Sequence, residues 1–138
     1  VSVATQLVDL TALRDALGAV LAPVNEDDPP VLVDVVDALT PPALMLIWGD
    51  PWLEPGTGRP TMGPCIWTAR LQVLAVASRL EPGPGIRTLE SLVTQVVERT
   101  KADVYTWKLD GVSGPRVFDI AGLSYLGARV TYLVPTAV

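Results

Sequence analysis

Between Cys65 and Ser78 the chain alternates without a break. Cys65, Trp67, Ala69, Leu71, Val73, Ala75 and Ala77 form one set, and Ile66, Thr68, Arg70, Gln72, Leu74, Val76 and Ser78 form the other. Successive side chains of a strand point to opposite faces, so this period-two pattern predicts one long β-strand. The first set is wholly apolar and predicts the core side. The second is polar in its first half and apolar in its second, which predicts cover on both faces towards the strand's end. A strand of that length has to be built into a sheet, so the rest of the chain is read for its partners.

Candidate partners lie on both sides. Ala43-Leu44-Met45-Leu46-Ile47-Trp48 is a continuous apolar run of strand length, predicting a strand covered on both faces and ended by Gly49-Asp50-Pro51. Val31-Leu32-Val33 predicts a short extended piece, and Asp34 to Thr40 an irregular stretch or single turn. Val104 to Leu109 predicts a strand stopping near Asp110-Gly111, and Arg116 to Ile120 a shorter one. In Ser124 to Val134 the set Leu126, Ala128, Val130, Tyr132 and Val134 predicts a core-facing row. Two helices are expected. Leu10, Leu13, Leu17 and Leu21 recur at spacings of three and four before Pro23 stops the run. Leu89, Leu92, Val93, Val96 and Val97 form a second stripe after the breaker Glu81-Pro82-Gly83-Pro84-Gly85, with Arg99 and Lys101 placed to meet the helix's negative end. Strands come in adjacent runs, so the fold class predicted is α+β: one domain over residues 1–138, a mostly antiparallel sheet with two main helices.

The length of 138 residues suits one core without a disulfide or metal staple. Only 18 % of residues are charged, against a usual ~25 %. Either the core is aliphatic-rich, or some apolar surface is buried against another subunit. Residues 1–58 hold nine acidic residues and one base, Arg14, whereas residues 59–138 hold six acidic and nine basic. Such polarity favours head-to-tail contacts between copies, provided the fold does not interleave the halves. The net charge of −5 argues against a sequence-independent grip on nucleic acid, which depends on neutralising phosphates. The longest uninterrupted apolar run is far short of the ~20 residues of a membrane span. The first residues lack a signal peptide's basic start and apolar core, so a soluble protein made in a cytoplasm is expected.

Little in the sequence carries chemistry. The chain has no histidine, which removes Ser-His-Asp and Cys-His catalysis and the commonest transition-metal ligand. Cys65 is the only cysteine and sits in an apolar run, where an inert buried thiol is expected. Pro55-Gly56-Thr57-Gly58-Arg59-Pro60 lacks the Lys-Ser or Lys-Thr of a phosphate loop and opens no helix. Gly83-Pro84-Gly85 lacks the rest of a dinucleotide fingerprint. Glu26-Asp27-Asp28, and Asp34 with Asp37, lack the spacing of a calcium loop and read as solvated acidic surface. No enzyme, cofactor or metal site is therefore expected. The tryptophans are the better clue, since this side chain is favoured at interface hot spots. Trp67 and Trp107 are assigned to the core. Residues 50–64 carry four prolines and three glycines, which predicts a long loop. Trp52 and Met62 are too apolar for a free linker, so the loop is expected to dock on its own domain or on a neighbour. The interface candidates are Trp48, Trp52, Leu53, Arg59 and Met62.

The order of these segments resembles the small tail-terminator, or tail-completion, proteins of long-tailed actinobacterial phages. The resemblance is carried by Leu10-Thr11-Ala12-Leu13-Arg14-Asp15-Ala16-Leu17, by Pro41-Pro42-Ala43 leading into a strand, and by the turn Gly49-Asp50-Pro51. It continues through Trp67 to Leu74, Leu89-Glu90-Ser91-Leu92-Val93 and Tyr125 to Thr131, and so runs over nearly the whole chain. It implies a virion protein assembled in the bacterial host cytoplasm. Copies would form a homo-hexameric ring that caps the head-proximal end of the tail tube, stops tube growth and offers a docking surface to the head's neck. The implied partners are other copies, the tail tube protein and a head–neck or stopper protein. Genomic DNA would pass through the lumen without specific binding. The residues leave three other readings open: another head–tail connector, a monomeric protein-binding module, and an enzyme working with carboxylates alone or with a metal they bind.

Overall fold

The computed structural model describes residues 10–24, 28–32, 41–55, 66–79, 84–103 and 107–137. The long alternating segment is strand β3, Ile66–Arg79. It is central because both its edges are used: β2 (Ala43–Pro55) pairs it on one side and β6 (Leu123–Ala137) on the other, both antiparallel. The short β1 (Val31–Leu32) adds to β2 in parallel. β4 (Lys108–Val112) and β5 (Arg116–Ile120) both pair with the outer side of β6. With helices α1 (Leu10–Leu21) and α2 (Pro84–Thr100), this makes a single α+β domain around a six-stranded mixed, mostly antiparallel sheet.

β4 and β5 are two halves of one arm. β4 faces Val130–Leu133 of β6 and β5 faces Leu123–Gly127, with Ser113 to Pro115 between them. Ser113 bridges that break: its N–H donates to the Arg129 carbonyl at 2.8 Å, and its hydroxyl accepts from the Arg129 N–H at 2.9 Å. The arm and β6 close through Ala121-Gly122, with φ of 52° and 81°. Positive φ at both residues marks the two-residue turn whose twist suits a hairpin.

The pleat of β3 divides the apolar residues as expected. Ala69, Leu71, Val73, Ala75 and Ala77 join Leu44 and Leu46 of β2 and Ala128, Val130, Tyr132 and Val134 of β6 in the main core. Leu17 and Leu21 of α1 and Leu89, Leu92 and Val96 of α2 close over them, so both helices serve one face. Leu74 and Val76 are buried on the other face with Ala43, Met45 and Tyr125. The second half of β3 is thus covered on both sides. Tyr125, in the outward set by periodicity, is only 1 % exposed, because Phe118 and Ile120 of β5 pack beside it.

Several boundaries differ from expectation. β2 does not stop at Gly49-Asp50-Pro51 but continues to Pro55, so residues 50–55 of the expected loop are strand. β4 begins at Lys108 and runs through Asp110-Gly111. Asp110 is the extra residue of a bulge there, since Leu109 faces Tyr132 and Gly111 faces Thr131. Pro84 and Gly85 of the expected breaker lie in the first turn of α2, where proline's missing donor costs nothing. Trp107 is buried in the main core, whereas Trp67 is only half-buried and stands outside both core clusters. Residues 33–40, Cys65 and 104–106 lie outside the described residues.

Two polar contacts fasten the helices. Arg99 donates from Nη1 to the carbonyls of Leu21 (3.0 Å) and Ala22 (2.6 Å), and from Nη2 to Oδ2 of Asp28 (2.8 Å). It therefore serves the negative end of α1 and not that of its own helix. Asp28 also accepts from the Val24 N–H, and its side chain is only 15 % exposed. It is a structural partner, not solvated acidic surface. At the end of α2, Thr100 Oγ1 lies 3.1 Å from the Val96 carbonyl and 2.8 Å from the Tyr132 hydroxyl. A carbonyl only accepts, so Thr100 donates to it and Tyr132 donates to Thr100.

This arrangement sets an order of effects. Tyr132→Phe removes one net hydrogen bond and is expected to cost about 1 kcal/mol, whereas Thr100→Val strands a buried phenol and is expected to cost about 2 kcal/mol. Burial raises the Tyr132 pKa above 10.0. The folded state therefore holds that proton more tightly, a contribution present below pH 10 and lost as pH rises towards the folded pKa. Urea titrations of the three proteins from neutral to alkaline pH check both points. Tyr132→Phe should lose the part of the alkaline decline that belongs to this hydroxyl.

Candidate functional site

Of the five interface candidates, the structure describes three. Arg59 and Met62 lie outside the described residues. Trp48 and Leu53 are half-buried and pack against the main core. Trp52 remains 46 % exposed. Its ring stands 4.6 Å from that of Trp48, tilted by 43°, and the Arg14 guanidinium of α1 lies 5.4 Å from the centre of Trp48. Such aromatic and cation–π contacts are each worth about 0.5–1.5 kcal/mol. They hold one side of Trp52 and leave the other to solvent.

A large bulge puts Trp52 there. Trp48 faces Leu71 and Leu53 faces Ala69, so Gly49 to Trp52 stand against Arg70 alone. The excess chain bows out, and Pro51 sits where no ladder donor is required. Gly49 is needed at the base of the bow. A Cβ at this position would come 2.2 Å from Cγ of Arg70, whose side chain crosses over it. Arg70 then meets Glu54 of β2 at 3.0 Å and Asp110 of β4 at 3.8 Å. Both pairs are partly exposed, so each contributes at most about 1 kcal/mol.

Exposed apolar side chains also stand at or just past the end of α1 (Val20 and Val24) and on the opposite edge of the sheet. Leu109 and Val112 of β4 are 46 % and 41 % exposed, and Val117 of β5 is 54 % exposed. Between this edge and α2 lie two recesses. One, of about 310 Å³, is lined by Ile86, Val93, Val112 and Pro115, with Glu90 among its lining residues. The other, of about 460 Å³, lies between Val97, Thr100 and Lys101 of the α2 end and Trp107, Lys108 and Leu109. The edge strand and both recesses were not singled out from the sequence. Their signal was weak: β4 is exposed along its whole length, so its apolar residues carry no periodicity that separates interface from core.

The described strands of residues 1–58 and of residues 59–138 occupy different sides of the sheet. β1, β2 and α1 come from residues 1–58, and β3, β6, β4 and β5 from residues 59–138, in that spatial order. The halves are not interleaved in the sheet. They meet through Glu54–Arg70 and Asp28–Arg99, which offset part of the imbalance along the seam. Among the described residues no group of three or more Cys, Asp or Glu side chains is placed to hold a metal ion. No described helix is long and apolar enough to cross a membrane.

The geometry of the bulge gives a direct test. Gly49→Ala should destabilise the domain by about 1–3 kcal/mol, the usual cost of forcing an added group into occupied space. Arg70→Ala alone should cost about 1 kcal/mol or less, because its ion pairs are partly exposed. Combining the two should recover part of the Gly49→Ala loss, since most of the clash is with the Arg70 stem, and urea unfolding of the three variants measures it. In comparisons with known proteins, no family model matches the chain and no curated protein matches it.

Proposed function

We propose that this chain is a structural, non-enzymatic subunit that joins copies of itself into a ring of the tail-terminator kind. The observation that carries this reading is the pair of unlike sheet edges. One presents Trp52 with Asp50 beside it, and the other presents Leu109 and Val112 with Lys108 beside them. A subunit with two different, mutually attractive edges associates head-to-tail, and such contacts close into a ring when the rotation between copies permits. Low charge and exposed apolar side chains at both edges support burial between subunits.

In this reading the ring is a hexamer that caps the head-proximal end of a phage tail tube. It halts further addition of the tube protein and offers its other rim to the head's neck or stopper protein. DNA passes through the lumen without specific contacts, for which a strongly basic lumen would be unsuitable. The absence of histidine from the sequence removes the commonest acid–base group and favours a mechanical role. A connector at a neighbouring level of the head–tail joint would use the same edges, and the partner bound by the ring separates the two.

Native mass spectrometry over a concentration series, with negative-stain images of the same samples, tests the proposal. The expected outcome is a closed six-membered species with a central hole, which then binds one end of purified tail tubes. A two-fold dimer as the end state, or a chain that stays monomeric at every concentration and on added tubes, would sink it.

A further inference from the structure

We infer that the lysine-flanked recess between the end of α2 and the start of β4 receives Trp52 from a second copy of this chain. The inference rests on the self-assembly reading above and names its contact. Leu53 faces Ala69, Ala69 faces Val134, and Lys108 faces Leu133. The Trp52 bulge and the recess therefore stand at nearly the same level on opposite edges, three strand spacings apart. A second copy set beside the first brings one edge against the other and leaves its own far edge free to repeat the contact.

Shape and charge agree on the occupant. At about 460 Å³ the recess falls within the range of ~300–1,000 Å³ typical of sites that enclose a bound group. Val97, Trp107 and Leu109 give it apolar walls suited to an indole. Lys101 and Lys108 flank it. The Lys101 side chain is 65 % exposed and, among the described residues, pairs with the similarly exposed Glu98, a pair of little strength. Lys108 is exposed and makes no ion pair among the described residues. On the other edge, exposed Asp50 lies in the same bulge as Trp52. Asp15, 63 % exposed, stands beside the Arg14 that covers Trp48. Arg14 thus offsets Asp15, Asp50 is the carboxylate that accompanies the tryptophan, and two ammonium groups flank its recess. The neighbouring recess of about 310 Å³ has Glu90 in its lining and no base, so Asp50 would be repelled there.

The test uses the full chain in three forms: wild type, Trp52→Ala, and the pair Lys101→Glu with Lys108→Glu. Sedimentation velocity and native mass spectrometry read assembly, and circular dichroism checks that each form is folded. Each variant should self-associate at least roughly tenfold more weakly than wild type, as loss of an interface hot spot does. Mixed together they should form a discrete heterodimer and nothing larger, since Trp52→Ala keeps an intact recess and the lysine variant keeps an intact Trp52. Wild-type assembly by either folded variant, or a mixture that stays monomeric, would overturn the inference. So would a wild-type chain that never associates. A ring that survives Trp52→Ala overturns this contact and leaves the ring reading standing. Open chains in wild type, with both variants and their mixture behaving as stated, keep the contact and remove the ring. Should Trp52→Ala not fold, Asp50→Lys takes its place on that edge and should self-associate more weakly than wild type. Mixed with the lysine variant it should assemble beyond a heterodimer, because its new ammonium group then meets the glutamates of the altered recess while Asp50 of the lysine variant meets the intact one. A mixture that stays monomeric would overturn the inference.

Discussion

The ladder between β3 and β6 is the constraint on which the rest of the domain depends. It is continuous from Ile66↔Ala137 to Arg79↔Tyr125 except for one irregularity between Val76 and Ser78. Its pleat decides what faces the helices. A slip of one residue would turn Ala69, Leu71 and Val73 away and bring Arg70 and Gln72 beneath α1 and α2. Burying those polar groups without partners would cost several kcal/mol, of the order of ~2–7 for an amide alone. The register is thereby held by the side chains, and β2 and the β4–β5 arm inherit their positions from it.

Much of this was legible because burial leaves a period in the sequence. β3 and β6 alternate, and the stripes of α1 and α2 recur at helical spacing, since each residue's place on its element decides whether it meets the core. What escaped reading lacked such a period. Gly49-Asp50-Pro51 has the chemistry of a turn, yet the bulge lets the strand resume beyond it. Asp28 looks like part of an acidic loop until Arg99, 71 residues away in sequence, is brought to it by the fold. Trp52 was recognisable as a large apolar residue out of place among prolines and glycines. The recess on the other edge was not, because its walls come from two elements that acquire meaning only side by side.

The two ion pairs that join the acidic and basic parts act at different depths. Glu54–Arg70 lies on a partly open face, and solvent screens it. Arg99–Asp28 is more enclosed, and Arg99 also satisfies two carbonyls at the end of α1. Removing Arg99 would therefore take its cation from Asp28 and the donor from two carbonyls at the end of α1. This guanidinium ties the end of α1, the helix whose Arg14 covers Trp48, to the far end of α2.

The break at Ser113 to Pro115, together with the bulge at Asp110, has a consequence for growth. A long, flat outer strand would present an unbroken row of backbone donors and acceptors to which any other strand could add without limit. Here that row is cut into short pieces by the break and the bulge. Charged residues at Lys108, Asp110 and Arg116 accompany the interruptions. Indefinite sheet extension along this edge is therefore discouraged, and any neighbour must be recognised by its side chains. The arm thus guards the protein against fibre formation while leaving its surface open to selective contact.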